Sequence, residues 1–465
     1  MAVVSTVKLS ELEGAKRIDP EFYRSDILDM KAVISKSKFN VFKLSKIIKK
    51  GYRVVYWSTN ILSPDERCGN DVYFLQATNI EGSFPFINVN NMGYVWRRDW
   101  EQYPEGRINR GELLIEVKGK AEKVALVPND FPLNTLVSGT LYKFTVKKSI
   151  EPEYILIFFL TKFGKGFRDR LKTNTLISFV NKRDLYNIPV VLPPPEFRQQ
   201  IQKLYNEAYG EFKKSHDLYC QAENLLLGAL GLENFEPKCE LVYTNMASNA
   251  SRFHRMDAEY FQPLCSNLIK HLSAKVRLEP LSKFLLGFKK GVEVGTENYQ
   301  EGGKPFLRVS NLSTSGFVER DMKYIDEELY NQLKDEYEIK NGDFLLTKDA
   351  TPGIAYVVKE STDGIISSGI LRLNINEKEI DKEYLALCIN SIIGRLQVER
   401  DIGGSVIMHW KPEQIKKLQI PILPSTTQQE IASLIRQSHK ARKKAKDLLE
   451  EAKKEVEKAI EGEVN

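Results

Sequence analysis

Three sets of residues in this 465-residue sequence have types that could do chemistry. The first is Pro194-Pro195-Glu196-Phe197. An adenine methyltransferase carries a Pro-Pro-aromatic loop preceded by Asn or Asp. Here the acid or amide is missing, and the prolines stand at the head of a long helical pattern, where they read as punctuation. The second is Pro104-Glu105 with Glu116-Val117-Lys118, which imitates the acid–acid–lysine site of metal-dependent nucleases. Paired carboxylates could hold Mg²⁺ there while a lysine activates water. The pattern is short, and a matching segment later in the chain has Thr347 in place of the second carboxylate. The third set is His216, His254, His271, His409 and His439 with Cys68, Cys220, Cys239, Cys265 and Cys388. Neither group shows ligand spacing or a CxxC pair, so no metal site or disulfide framework is indicated, and a reducing compartment is expected. No Gly-x-x-x-x-Gly-Lys-Ser/Thr loop occurs, so ATP hydrolysis is not expected of this chain. None of these sets makes a complete catalytic or metal-binding motif.

The elements that would position such residues fill more than one core, so two or three domains are expected from the length. Apolar residues at 42% place the chain among folded globular proteins. The net charge of +6, from 68 basic and 62 acidic residues, admits a nucleic-acid partner without requiring one. The opening residues 1–17 alternate apolar with charged and give no secretory signal. The longest apolar run, Tyr154 to Leu160, is far short of the ~20 residues that span a membrane. A cytoplasmic protein is expected.

The chain is written twice, with a period near 230 residues. Arg17-Ile18-Asp19-Pro20-Glu21-Phe22-Tyr23 returns as Arg255-Met256-Asp257-Ala258-Glu259-Tyr260-Phe261. Phe74 to Ile80 returns as Phe306 to Leu312, and Gly111 to Ile115 as Gly342 to Leu346. Ser138-Gly139, Glu153-Tyr154 and Ile188-Pro189 find partners in Ser368-Gly369, Glu383-Tyr384 and Ile420-Pro421. Chance matches would not stay collinear. Each copy opens on an Asp that is a candidate helix N-cap, Asp19 or Asp257. Short strands and turns follow, then a helix over 152–171 or 381–400, then a proline-bearing turn and a long helix.

The long helices are expected over about 196–230, ending at Gly231, and about 427–461. Their apolar and small positions recur every 3.5 residues, the coiled-coil period. Small residues recur every seven: Ala208, Ser215, Ala222 and Ala229 in one helix, Ser438, Ala445, Ala452 and Ala459 in the other. Such a ladder predicts close packing of the two helices against each other. The second helix can lie along the first only by running back, so the pair should be antiparallel. A helix of this length spans ~50 Å, enough to hold two readers about one DNA turn apart, ~35 Å. The fold class expected is α+β: two tandem, pseudo-two-fold-related globular domains separated by a coiled coil of two long antiparallel helices. The boundaries read as 1–194, 195–232, 233–425 and 426–465.

Taken together, these features resemble the specificity subunit of type I restriction-modification systems. The most specific parts are the Arg-x-Asp-x-Glu-aromatic-aromatic openings and the lead-in Ile188-Pro189-Val190-Val191-Leu192-Pro193-Pro194-Pro195-Glu196-Phe197-Arg198-Gln199-Gln200-Ile201. The second copy, Ile420 to Ile431, loses one proline, and Gly342 to Gly353 is typical of the family's recognition domains while Gly111 to Lys123 matches only at its start. The resemblance implies a non-catalytic subunit. Each copy would be a target-recognition domain reading one half of a bipartite, asymmetric site in double-stranded DNA. The helices would set the gap and dock two modification (methyltransferase) subunits. S-adenosylmethionine for DNA methylation at adenine N6, and ATP and Mg for translocation and cleavage, would belong to partners, including a restriction/motor subunit, and no cofactor to this chain. A specificity subunit of a two-subunit type II system, or a metal-dependent restriction endonuclease, are the alternatives.

Base edges are read by Arg, Lys, Asn and Gln in loops on a rigid scaffold, and phosphates by Lys, Arg and Ser. Two loop sets fall at matched places in the repeat but differ in content: Gln76 and Asn79 against Arg308 and Asn311, and Lys118-Gly119-Lys120 against Lys348-Asp349-Ala350-Thr351. A third set is Lys172-Thr173-Asn174 and Gly403-Gly404-Ser405, the latter ahead of His409-Trp410, whose indole is expected to pack rather than stack on a base.

Overall fold

The computed structural model describes residues 6–12, 17–54, 59–63, 72–173, 178–233, 235, 240–253, 255–319, 321–402 and 408–462. The chain forms two compact units, one of residues 1–212 with 443–465 and one of residues 213–442. Each long helix therefore contributes one part to either unit. Among the described residues no helix is long and apolar enough to cross a membrane.

In the first unit a four-stranded antiparallel sheet runs in the order Ile48–Tyr52, Leu141–Val146, Leu113–Glu116, Val124–Leu126. A three-stranded sheet places Val72–Leu75 between Gly93–Val95, antiparallel, and Thr135–Val137, parallel. Asn40–Lys43 pairs with Pro189–Leu192, the strand that leads into the first long helix. The helix Pro152–Leu160 is buried all round from Tyr154 to Phe159, as a helix without a polar face must be.

The second unit repeats this plan within itself. Its four-stranded sheet runs Leu285–Lys290, Ile370–Ile375, Phe344–Thr347, Ala355–Val357. Its other sheet sets Lys304–Leu307 between Lys323–Ile325, antiparallel, and Thr362–Ile366, parallel, and adds Glu338–Ile339 at the edge. Arg277–Pro280 pairs with Gln419–Ile422. The duplication read from the sequence is thus a duplication of topology.

Three local expectations are corrected. The helices expected over 152–171 and 381–400 are each broken in two, at Thr161 and Ser391. Each hydroxyl accepts a hydrogen bond from a backbone N–H of the next helix, Thr161 from Gly164 and Ser391 from Ile393. At the bend, a Cβ on Gly164 would stand 2.1 Å from the Phe158 carbonyl oxygen, and one on Gly394 2.0 Å from that of Ile389. Only glycine allows so close a turn. Asp19 and Asp257 do sit at the helix starts, but neither side chain caps, because each carboxylate is taken by an arginine described below. Ala229 is exposed, and the first helix packs its last turn through Leu226 and Leu230 instead.

The long helices run Pro195–Ala229 and Ser425–Glu461. The first ends as expected: Gly231, at φ 61°, donates to the Gly228 carbonyl and Leu232 to that of Leu227, a Schellman close. In the second unit the Ser215 and Ser438 hydroxyls meet at 3.1 Å, and Ser438 Oγ donates to the Ser215 backbone carbonyl at 2.7 Å. A serine reaching the facing helix's main chain shows how closely the backbones approach. From this contact the first helix advances to Ala222 and Leu226 while the second recedes to Ile435 and Ile431, in one core, so the pairing is antiparallel. In the first unit Ala208 shares a core with Ala445, Ala452 and Val456, and Lys444 bonds Glu211 at 2.6 Å. Lys162 ties the unit to the helix end through its N–H on the Glu457 carboxylate.

His439, on the second long helix, packs edge-on against Tyr356 with ring centroids 5.6 Å apart. Burial, with the Lys359 and Arg442 cations nearby, pushes its imidazole down to about 3. The unfolded chain takes up that proton near pH 6.5. The unfolded state therefore binds more protons between these values, and stability is lost as pH falls from about 6.5 toward 3, with no effect above. His439→Phe should flatten the acid limb of the second unit's melting profile between pH 6.5 and 4. Coincident profiles for variant and parent would refute this.

Candidate nucleic-acid interface

Each opening motif is an ionic clamp. The Arg17 guanidinium grips both Asp19 oxygens, Nε to Oδ1 at 2.8 Å and Nη2 to Oδ2 at 2.7 Å, and reaches the Leu171 and Lys172 carbonyls at 3.1 and 3.2 Å. Arg255 grips Asp257 in the same way and reaches the Asp401 carbonyl at 3.3 Å. The hydrogen bonds from arginine hold both Asp carboxyls below the usual carboxylate range. The first aromatic of each motif has two guanidiniums near its ring. Phe22 has Arg17 at 4.9 Å and Arg170 at 4.5 Å; Tyr260 has Arg255 at 4.7 Å and Arg400 at 5.7 Å. The clamp fixes the opening of each copy onto the end of the helix that precedes the third candidate loop.

The loop after the Gly-Glu/Asp strand is built by a polar side chain at the strand end. Glu116 is buried and accepts from the Glu122 and Lys123 amides at 3.0 and 3.2 Å. Its carboxylate is thus a turn fastener, which removes it from the metal pair weighed in the sequence. Thr347 does the same in the second unit, donating to the Thr351 carbonyl and accepting from the Ile354 amide. Each turn holds an alanine in the left-handed region, Ala121 at φ 53° and Ala350 at φ 60°.

Pairing across the loop fixes the correspondence of the copies. Val180 N–H donates to the Val117 carbonyl and Trp410 N–H to that of Lys348. Lys348 therefore answers to Val117, and Asp349 to Lys118, the register that Gly111 to Ile115 against Gly342 to Leu346 already sets. The contents differ sharply. Lys118 and Lys120 are exposed. Lys348 is nearly covered and paired with Asp349, whose other oxygen lies 2.8 Å from His409 Nδ1. Thr351 is exposed, and Trp410 is buried, as expected.

Neither Phe179 nor His409 was singled out as a contact from sequence, yet they face these loops: Phe179 pairs with Lys118, and His409 bridges Asp349. The Arg53 guanidinium stacks 5.0 Å above the Phe179 ring, and both line a cleft of about 270 Å³ with Lys182. Strand register puts exposed Lys290 at the place of Arg53 in the second unit. Only strand pairing reveals these residues, since they lie far from the loops in sequence.

Of the first loop set, Asn79 and Asn311 turn inward. Asn79 Oδ1 accepts from the Gln76 amide at 2.7 Å and Nδ2 donates to the Asn91 carbonyl; Asn311 does likewise with Arg308 at 3.1 Å and Val318. These buried amides hold the turns. Gln76 is half-buried, and Arg308 pairs with Asp321 at 3.0 Å. The two loop sets meet in each unit. Lys123 Nζ donates to the Ile80 carbonyl, and Gly369 lies between Val309 and Asp349. In the third set Lys172 pairs with Asp169 at 2.8 Å, and Thr173 Oγ1 accepts from the Phe179 amide at 3.0 Å. Asn174, Gly403, Gly404 and Ser405 lie outside the described residues.

Residues 279–455 match the family model of the type I restriction modification DNA specificity domain. That span covers most of the second unit and most of the second long helix. No curated protein matches the chain. Among solved structures, the S subunit of a type I restriction-modification system from M. genitalium aligns over 92% of this chain and 96% of its own, at 10% identity and a TM-score of 0.42. The HsdS subunit from Thermoanaerobacter tengcongensis aligns over 92% and 97%, at 15% identity and a TM-score of 0.30.

Proposed function

We propose that this chain, a DNA-specificity subunit of the type I restriction-modification family, reads a bipartite, asymmetric site with one half assigned to each copy. The reading is carried by one observation: loops built alike in both copies present different chemistry. The first offers Lys118, Lys120, Arg53 and Phe179; the second offers Thr351, His409 and Lys290 beside the paired Lys348 and Asp349. Two readers of unlike half-sites need the same frame and different side chains. Gln76, Arg308 and Lys172 flank these loops as further contacts, and Asn79 and Asn311 serve as their scaffold.

The chain supplies recognition, and two modification subunits supply methyl transfer with S-adenosylmethionine; a restriction/motor subunit joins the full complex and uses ATP and Mg. The paired helices set the gap between half-sites, and the assembly works in the cytoplasm. The test is methylation of DNA by the chain with and without a modification subunit. The chain alone should transfer no methyl groups, and the complex should modify a split site. In the same complex Lys118→Ala and Lys120→Ala should each lower the salt slope of DNA binding by about 1 and weaken binding roughly tenfold near 0.1 M salt. Unchanged slopes in both would remove these lysines from the phosphate contacts.

A further inference from the structure

Phe179 borders two clefts in the first unit, and each holds a charged group without a counterpart. The first, of about 270 Å³, is lined by Arg53, Tyr142, Phe179 and Lys182. The Arg53 guanidinium stands over the Phe179 ring, and among the described residues its one hydrogen bond goes to the Gly139 carbonyl, at 2.8 Å. Burial pushes its ionisation down, and no carboxylate among the described residues pushes it back. A half-buried cation in this state favours an anion. The second cleft, of about 400 Å³, is bordered by Thr173, Asn181 and Asp184, with the Arg17–Asp19 clamp in its wall. Asp184 is 7% exposed, and its Oδ1 has no hydrogen-bond partner among the described residues. A carboxylate so placed costs stability unless a donor reaches it.

The second unit is an internal control. Val180 and Trp410 occupy equal places, and four residues further on Gln414 stands where the first unit has Asp184. Its Nε2 donates to the Asp401 carbonyl at 2.6 Å and its Oε1 accepts from the Lys411 amide at 2.9 Å, so both ends of the amide are used. Strand register puts Phe288 where the first unit has Gly51. In the first unit even a Cβ there would stand 2.1 Å from Tyr142 Oη, so the position must stay bare. The spare carboxylate and the bare strand position are features of the first copy, not of the shared frame.

The groups around Phe179 ask for an anion, a flat ring and a hydrogen-bond donor. One ligand supplies all three: a nucleotide whose base carries an amino group. A metal ion would answer only the carboxylate, and the described residues contain no cluster of three ligating side chains. Lys118, a phosphate contact in the proposed function, is the strand partner of Phe179, so DNA passes the mouth of these clefts. A paired base offers only its edge to a surface. A carboxylate in the wall of a cleft is reached by a base turned out of the stack.

We propose that the first copy holds one nucleotide turned out of the duplex, its phosphate on Arg53 and Lys182, its base on Phe179 and its amino group toward Asp184. This rests on the proposed function above. The test uses the full chain with a modification subunit on the split site and makes a mismatch at each base pair in turn, in both halves. A mismatch lowers the cost of unstacking, so binding should tighten several-fold wherever a base is turned out. The adenines that become methylated should give this gain through the modification subunit, and one further position, in one half only, should give it through this chain. Phe179→Ala and Arg53→Gln should abolish the gain at that position, weaken binding about tenfold and leave the gains at the methylated adenines intact. Cytosine or adenine at that position should bind about tenfold tighter than thymine, and Asp184→Asn should erase the preference. The mismatch scan needs no variant, so it stands even where a substitution fails to fold. No further position that tightens, or a gain that survives Phe179→Ala, overturns the inference. A complex that neither binds nor modifies a split site overturns the proposed function itself.

Discussion

Lys143→Met is expected to destabilise the first unit by about 3–5 kcal/mol. Lys143, on the strand Leu141–Val146, and Glu112, just before the neighbouring strand Leu113–Glu116, are 5% and 6% exposed. The ammonium stands 3.1 and 3.2 Å from the two carboxylate oxygens and also donates to the Arg107 carbonyl. The Glu112 carboxylate takes two more bonds from Asn109, from its amide at 2.8 Å and its side chain at 3.0 Å. Removing the cation leaves a carboxylate in the core with too few partners, which costs more than the pair ever contributed. Glu112→Leu added to Lys143→Met should recover most of the loss, since an apolar pair of similar volume can replace a buried ion pair. The second unit places Asp343 and Arg372 at the same two positions, with Nε 3.0 Å from Oδ2. A shorter acid meets a longer base, so the frame accepts either division of length. Denaturant titration measures both variants. A single-variant loss under about 1 kcal/mol would show that the pair is not buried as described.

Ala445→Leu should also be severe, at about 1–3 kcal/mol or more. Ala445 is fully buried where the second long helix joins the first unit's core with Ala208. Seven residues away, Ser438 Oγ already touches the main chain of the facing helix. Three added carbons must force the helices apart or adopt a strained rotamer. Ala229→Leu is the control, because Ala229 belongs to the same sequence ladder but is exposed. It should change stability by no more than about 0.5 kcal/mol. Equal losses from both substitutions, read from melting curves, would contradict close packing along the ladder.

The sequence made the duplication and the long helices legible because their signals are local. Pro195 at a first helical position and Gly231 past the last turn mark the first helix to within a residue of its observed Pro195–Ala229. A heptad of small residues announces close packing without saying where a helix leaves its partner, which is why Ala229 was misplaced. The breaks at Thr161 and Ser391 were hidden inside apolar runs, although Thr161-x-x-Gly164 and Ser391-x-x-Gly394 hold the signal in both copies. The loop register was legible, because Gly111 to Ile115 against Gly342 to Leu346 already sets Lys118 opposite Asp349. The partners of those loops, Phe179 and His409, were hidden, because they lie about sixty residues away and only pairing reveals them. Asn79 and Asn311 looked like readers because amides in turns serve both purposes, and only burial tells the two apart.

One exchange tests the claim of two independent readers most directly. Residues 17–190 are replaced by the corresponding domain of a type I specificity subunit, the hybrid is expressed with a modification subunit, and the host's methylated sites are sequenced. One half of the site should change to the donor's, while the other half and the gap stay as they were. A site changed in both halves, or in neither, would contradict the account.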